Sequence, residues 1–182
     1  MSKIYTKYGD NGFTFTKSNS KTPKNDMLIH LLGEIDEMNA HIGYLASLIP
    51  TDNLYSEVKS VLDDIMSILF SAGAFIGYDS DLNIDKLDEF VFELEKKIDY
   101  YENFNGKLQN FILPTGSQCS SYSHVIRTVC RRVERKLYDV PKSADNQSIL
   151  KFFNRLSDYF FSLARTFNRM MGGKETIWTK II

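Results

Sequence analysis

"ILKFFNRLSDYFFSLARTFNRM", residues Ile149 to Met170, decides what kind of chain this is. Ile149, Phe152 or Phe153, Leu156, Phe160, Leu163, Phe167 and Met170 recur three and four apart. That is the spacing of a helix with one buried face. The same alternation runs through Leu28, Leu31, Ile35, Met38, Ile42, Leu45 and Ile49, and through Leu54, Val58, Val61, Ile65, Ile68, Ala72 and Phe75. It returns in Ile84, Leu87, Val91, Leu94, Ile98 and Tyr101, and in Ile126, Val129 or Cys130, Val133 and Leu137. Five stripes predict five long amphipathic helices. The connectors "PTDN", "GYDSDLN" and "VPKSADNQ" are short, so the helices should pack mostly as antiparallel neighbours. The expected fold class is all-α, a five-helix bundle.

Residues 1–24 differ. "KIYTKYGDNGFTFTK" alternates around a Gly-Asp-Asn-Gly turn and leads into the polar "SNSKTPKND". This predicts a small hairpin or a short extended arm, ending where Asn25 or Asp26 caps the first helix. No internal repeat, low-complexity tract or second domain is visible, so residues 1–182 read as one domain.

Lys and Arg number 22 against 23 Asp and Glu, a net charge of −1. A general nucleic-acid or membrane footprint is therefore not expected, and any basic site must be local. No apolar run approaches the length of a membrane span. Cys119 and Cys130 fall in one helical segment, roughly 16 Å apart along its axis, too far for a disulfide. They read as reduced thiols, which together with an N-terminus lacking leader character points to the cytoplasm.

Positive charge is concentrated in "RTVCRRVERK", Arg127 to Lys136, with four arginines, one lysine and a single acid, Glu134. Arg127, Arg131 and Arg135 are spaced i, i+4, i+8, and Glu134 shares their broad face. A solvated face is the plain alternative. Arginine, however, is the better bidentate partner for phosphate, and no acidic ladder on the same helix neutralises the stripe, so the face suits a polyanion. On the first helix Gly33, Asp36, Ala40, Gly43 and Ser47 form a mostly small face that another helix or subunit can approach, with Asp36 in its middle. A carboxylate buried there needs a partner, either a local one or an arginine of the basic helix. The fifth helix carries a polar face with Lys151, Asn154, Arg155, Asp158, Ser162 and Arg165, either an exposed face of the bundle or a working one. Phe111, Ile112 and Leu113 precede a Pro-Thr-Gly turn, as a packing plug or as the wall of an apolar pocket. Neither a Glu-x-x-His pair nor a Ser/His or Cys/His pairing is signalled. A polyanion clamp without a proton-transfer set fits a nucleophile that brings no proton.

Taken in order, "KIYTKYGDNGFTFT", "PKND", "GEIDEMNAHIG", "FILPTGSQ", "HVIRTVCRRVERK" and "FFNRLSDYFFSLAR" resemble the PduO-type ATP:corrinoid (cob(I)alamin) adenosyltransferases over about residues 3 to 180. The resemblance implies a homotrimer with sites between subunits and transfer of the 5′-deoxyadenosyl group of ATP to Co(I) of a corrinoid, with release of triphosphate and help from Mg²⁺. It implies that Thr6, Lys7, Gly9, Thr14 and Lys24 wrap the phosphates. Arg131, Arg132, Glu134, Arg135 and Asn154 would hold the nucleotide, with Glu134 also near Mg²⁺, ribose or a neighbouring arginine. Asp36 and Arg127 would form an intersubunit ion pair beside the corrinoid, and Phe111 would be the aromatic at the corrinoid. Arg127, Arg131, Asp36 and Phe111 are the residues expected to carry catalysis, with Asp158 in a matching string. A corrinoid reductase and an adenosylcobalamin-dependent client enzyme are the implied protein partners. A carrier or regulator that kept the fold without the chemistry is the alternative. The departures are Tyr8, Phe15, the string from Ser18 to Lys21, and "GEIDEMN". They touch the arm and its neighbour more than the arginine helix.

Overall fold

The computed structural model describes residues 3–78, 80–139 and 144–181. Five helices follow a small hairpin: α1 (Met27–Leu48), α2 (Ser56–Gly77), α3 (Ile84–Asn105), α4 (Gln118–Leu137) and α5 (Ala144–Met170). Each expected stripe is one of these helices. Part of the last connector, residues 140–143, lies outside the described residues. Polar side chains set the starts. Asp26 accepts from the Leu28 amide at 2.8 Å, Asn83 from Lys86 at 3.0 Å and Ser117 from Ser120 at 3.2 Å. Each satisfies an amide that the first turn leaves without a helical partner.

The arm corrects one expectation. It contains a two-stranded antiparallel sheet, β1 (Phe13–Thr16) and β2 (Ser20–Pro23), with Thr14 opposite Thr22. The hairpin does not turn at Gly-Asp-Asn-Gly. It reverses through a 3₁₀ turn at Lys17–Asn19, where Asn19 adopts φ 56°. An asparagine tolerates that left-handed conformation. The Gly-Asp-Asn-Gly string forms a separate turn ahead of β1. The chain is thus a helical bundle with a small sheet, not purely α.

Contacts fix the helix directions. Asn39 of α1 donates to the Met66 carbonyl of α2 at 3.3 Å, and Leu32 lies against Gly77, so these helices are antiparallel. In α4 and α5, Cys130 meets Phe153 while Ser117 meets Asn168, again antiparallel. The exception is α3 against α5, which run parallel in a fixed register. Asp88 accepts from Ser148 at 3.2 Å, Glu95 from Arg155 at 2.9 Å and Glu102 from Ser162 at 2.8 Å, each pair sixty residues apart.

The core is contributed by all five helices. Phe152, Phe153, Tyr159, Phe160 and Phe167 of α5 are fully buried among Leu31, Met38, Ile42, Leu62, Ile65, Val91 and Ile126. Each such ring stabilises the fold by about 1.5–3 kcal/mol relative to exposure. Residues Asn53–Gly77 are long and apolar enough to cross a membrane by length and composition alone, contrary to the sequence expectation. Their stripe from Val58 to Ile76 is buried in the bundle core. Cys119 and Cys130 are buried free thiols. Burial pushes both thiols up, which suppresses the reactive thiolate.

Candidate functional site

The α4 helix buries Cys119, Ile126, Val129, Cys130, Val133 and Leu137, and packs against α1 and α5. That orientation forces the cations to its margins, and they divide. Arg132 and Lys136 turn toward α1. Arg132 pairs with Glu37 and, at 3.4 Å, with Glu34, and Lys136 pairs with Glu34 as well. The absence of an acidic ladder on α4 itself did not leave the whole stripe unneutralised. The acids come from a neighbouring helix. Arg131 and Arg135 are exposed and make no ion pair among the described residues. On the same helix, Glu134 accepts from Asn154 of α5 at 2.9 Å, so two of the predicted nucleotide residues meet across the α4–α5 seam. Asp158 is taken up by Arg155 at 3.1 Å.

Arg127 is half-buried and its Nε has no hydrogen-bond partner. Burial, then the neighbouring charge of Arg131, pull its pKa down. Asp36 is exposed on α1 and makes no ion pair among the described residues. The structure therefore does not bring Asp36 to Arg127 inside one copy of the chain.

One turn before Arg127, His124 is buried against Phe161, and its Nδ1 also lacks a partner. Burial, reinforced by Arg127, pushes its pKa from 6.5 down to about 4. The folded protein thus holds a neutral imidazole where the unfolded chain would already be protonated. Stability is complete above about pH 6.5 and falls as the pH drops toward 4, by about 3 kcal/mol from this group. Urea midpoints followed from pH 7 to pH 4 should fall less steeply in His124→Gln. Parallel profiles would show that His124 is not the group responsible.

In the arm, Lys7 adopts φ 64° and the chain turns back twice, with Asp10 bonded to the Lys7 carbonyl and Gly12 to that of Gly9. The Lys24 amide then donates to the Gly12 carbonyl at 2.9 Å. Its ammonium lies over Gly9 so closely that a Cβ there would stand 2.8 Å from Nζ. A side chain at Gly9 would displace the flexible end of Lys24 from this position. Gly9 and Lys24 are thus brought together. Thr6 and Lys7 are exposed nearby in sequence and Thr14 is half-buried on β1. Among the described residues no hydrogen bond or ion pair joins the arm to α4.

Phe111 sits on the loop between α3 and α4 and is 79% exposed, so it is not a packing plug. The loop is paired with the C-terminal segment, which was not singled out in the sequence. Ile112 bridges Ile177, the Leu113 amide donates to the Thr176 carbonyl at 2.8 Å, and the Trp178 amide donates to the Phe111 carbonyl at 2.7 Å. Trp178 meets Phe111 edge to face at 6.4 Å, and the two border a shallow cleft of about 390 Å³ with Leu108, Gln109 and Asn110. The only sequence signals were a lone tryptophan and a Gly-Gly break after α5.

A family model described as cobalamin adenosyltransferase matches residues 4–167. A cobalamin adenosyltransferase of Cupriavidus metallidurans is 36% identical over 184 residues, covering 99% of this chain and 96% of that protein. The human corrinoid adenosyltransferase is 34% identical, covering 98% of this chain and 74% of its own length. Among solved structures, a phenylalanine-to-histidine variant of the PduO-type ATP:corrinoid adenosyltransferase from Lactobacillus reuteri, complexed with cobalamin and ATP, superposes with a TM-score of 0.87. It is 33% identical and covers 98% of this chain and 97% of that one. An arginine-to-lysine variant of the same enzyme, complexed with ATP, gives 0.85 at 34% identity, covering 97% and 100% of the two chains. With the match running from the arm through α5, the chain belongs to the PduO-type cobalamin adenosyltransferase family.

Proposed function

We propose that this protein transfers the 5′-deoxyadenosyl group of ATP to Co(I) of a corrinoid, as a homotrimer with its sites between subunits. The observation that carries the reading is the face of α4 on which Arg131 and Arg135 have no carboxylate partner among the described residues, in a chain matched to the family over residues 4–167. Co(I) attacks the ribose C5′ with its own electron pair. A Co–C bond forms, the C5′–O bond breaks, and triphosphate departs with the bonding electrons. No proton moves, so the site needs no general base. It needs fixed positive charge where the leaving group gathers negative charge. Arg131 and Arg135 are placed to supply it, with Gly9 and Lys24 closing over the phosphates and Asn154 and Glu134 fixing the nucleotide's place.

Among the described residues no group of three His, Cys, Asp or Glu could cage a metal ion. That suits Mg²⁺ delivered on the triphosphate, with Glu134 the nearest carboxylate on the cationic face, since Mg²⁺ commonly takes one or two carboxylates plus substrate phosphates. Bound there, Mg²⁺ would offset charge on the leaving group. The buried free thiols fit a reducing compartment, and we place the reaction in the cytoplasm, fed by a corrinoid reductase and serving an adenosylcobalamin-dependent enzyme.

Mixing the protein with ATP, Mg²⁺ and chemically reduced cobalamin should convert the corrinoid spectrum to the alkylated form, with one triphosphate released per corrinoid. Binding without either change would make the protein a carrier.

The exposure of Phe111 fits a ring that covers a ligand. A Co(II) corrinoid that keeps its lower axial base is hard to reduce, so a ring that displaces the base and water aids reduction. Phe111→Ala should lose most of its turnover when the enzyme works through bound Co(II), and less when Co(I) is supplied. The KM for ATP should hold. Bound Co(II) should be five-coordinate in the variant and four-coordinate in the parent. A four-coordinate spectrum with parental turnover in the variant would remove Phe111 from the corrinoid.

A further inference from the structure

We propose that Arg165 is a positioning residue for the corrinoid step, which holds the Phe111 loop in place through Glu175 and the C-terminal segment. The inference rests on the function proposed above.

Arg165 lies near the end of α5 and its side chain is 2% exposed. A guanidinium so deeply withdrawn from water is tolerated only when its donors are satisfied. Three are satisfied, each by a different element. Nη1 donates to Glu102 Oε2 on α3 at 2.7 Å, Nη2 to the Gly106 carbonyl at 3.0 Å, and Nε to Glu175 Oε1 at 2.6 Å. Gly106, with φ 80°, ends α3 and opens the loop that carries Phe111. Glu175 directly precedes Thr176, whose carbonyl receives the Leu113 amide, and stands three residues before Trp178, which bonds the Phe111 carbonyl. One arginine thus grips the root of the loop and the strand that braces its tip.

The other end of the loop is held from one turn further along α5. Buried Asn168 accepts from the Ser117 amide through Oδ1 at 3.2 Å, and its own carbonyl accepts from Gly173 at 2.8 Å. Gly116 and Gly173 press against its amide so closely that neither position has room for a Cβ. Between these anchors Phe111 is 79% exposed, and its one aromatic neighbour among the described residues is Trp178. The place of the ring is therefore set by the backbone bonds to the C-terminal segment, and that segment is fixed by Arg165 and Asn168. A ring that must meet a corrin face needs such preorganisation, because a small misplacement costs much of the rate.

A purely structural role for Arg165 would make it a strut between α3 and α5. Glu175 separates the two readings. Its side chain is 34% exposed and lies beyond α5, so its loss frees the strand while Glu102 still holds Arg165 in the bundle. Trp178 is the sole tryptophan, so its fluorescence reports the strand without any need for turnover. Glu175→Ala should keep the parental helical circular dichroism and a KM for ATP within about twofold. Its Trp178 emission should shift to the red, with acrylamide quenching rising. Turnover through bound Co(II) cobalamin should fall about tenfold or more, the size expected for losing a charge-assisted bond. Glu175→Gln, which keeps an acceptor, should recover part of the loss. Arg165→Lys, which keeps the charge and loses the fork, should resemble Glu175→Ala.

Unchanged Trp178 emission and corrinoid turnover in Glu175→Ala would overturn the proposal. So would an equal loss of helicity and ATP use, which would make the network a strut alone. If the parent protein alkylates no cobalamin, the function proposed above fails, and the fluorescence comparison still decides whether Arg165 and Glu175 hold the strand.

Discussion

Arg127→Ala and Asp36→Asn each weaken the assembled protein by about 3–5 kcal/mol, and the double variant loses less than the sum of the two. The expectation comes from two incomplete groups in one protomer. Arg127 Nε is buried without a partner, and Asp36 is exposed without an ion pair on the face containing Gly33, Ala40 and Gly43. In the proposed trimer each completes the other across the subunit boundary. Removing one side strands a charge that association has taken out of water, which is why the single variants cost more than the pair is worth. Light scattering at micromolar concentration should give a trimer for the parent and dissociation for the single variants. Denaturant titrations supply the coupling. Strict additivity would mean that the residues never meet, and a monomer mass for the parent would remove the assembly itself.

Arg131→Ala should lower kcat/KM for ATP ten- to hundredfold, the equivalent of about 1.5–3 kcal/mol for a charge-assisted contact to phosphate. The loss grows if the contact tightens as charge develops on the leaving group. Its neighbour makes the control. Arg132 already spans to Glu34 and Glu37, so Arg132→Ala should act first on the α1–α4 seam. There it leaves Glu34, whose side chain is 15% exposed, with Lys136 as its one remaining ion-pair partner among the described residues. Its signature is a lower melting temperature with a smaller change in ATP kinetics. Parental kcat/KM for ATP in Arg131→Ala would take that residue out of the phosphate cradle.

The division between Arg131 and Arg132 shows where the sequence stops being readable. Helical periodicity is local, so the stripe from Ile149 to Met170 identified α5, and four like it identified the remaining helices. Caps are local too, and Asp26 at the start of α1 was readable for that reason. Which arginine is spoken for depends on Glu34 and Glu37, ninety-five or more residues away on a helix whose azimuth no local pattern specifies. Gly-Asp-Asn-Gly carried a turn signal, but the hairpin closes at Lys17–Asn19, because β-pairing joins Thr14 to Thr22 and leaves that string outside the ladder. The hold of Glu175 and Trp178 on the Phe111 loop was illegible for the same reason as the ion pairs. A single bridge at Ile177 in a short tail has no periodicity to betray it, and its partner Ile112 lies on a loop 65 residues earlier. From its residues Phe111 was legible as a plug or a pocket wall, and as the aromatic at the corrinoid only by resemblance. Its exposure settles that it is not a plug.

The parallel pairing of α3 and α5 bears on how the chain finds its final form. Asp88, Glu95 and Glu102 recur every seven residues, as do Ser148, Arg155 and Ser162 opposite them. The buried residues Leu87, Leu94 and Tyr101 keep the same interval, and so do Ile149, Leu156 and Leu163. A repeat this regular is nearly blind to a slide of one heptad. Moving α5 by seven residues would set Asp88 against Arg155, Glu95 against Ser162 and Glu102 against Arg169. The polar ladder would close again. What distinguishes the two alignments lies outside the ladder, in the contacts of α5 with α4 at Phe153, Asn154 and Asn168 and in those of Asn105. Asn105 donates to the Ser162 carbonyl at 3.0 Å and to Thr166 at 3.1 Å, and the slide would leave it facing Gly173, which has no side chain to answer. A molecule slid by one heptad would keep its helices, yet Arg165 would lose Glu102 and the Phe111 loop would lose that anchor.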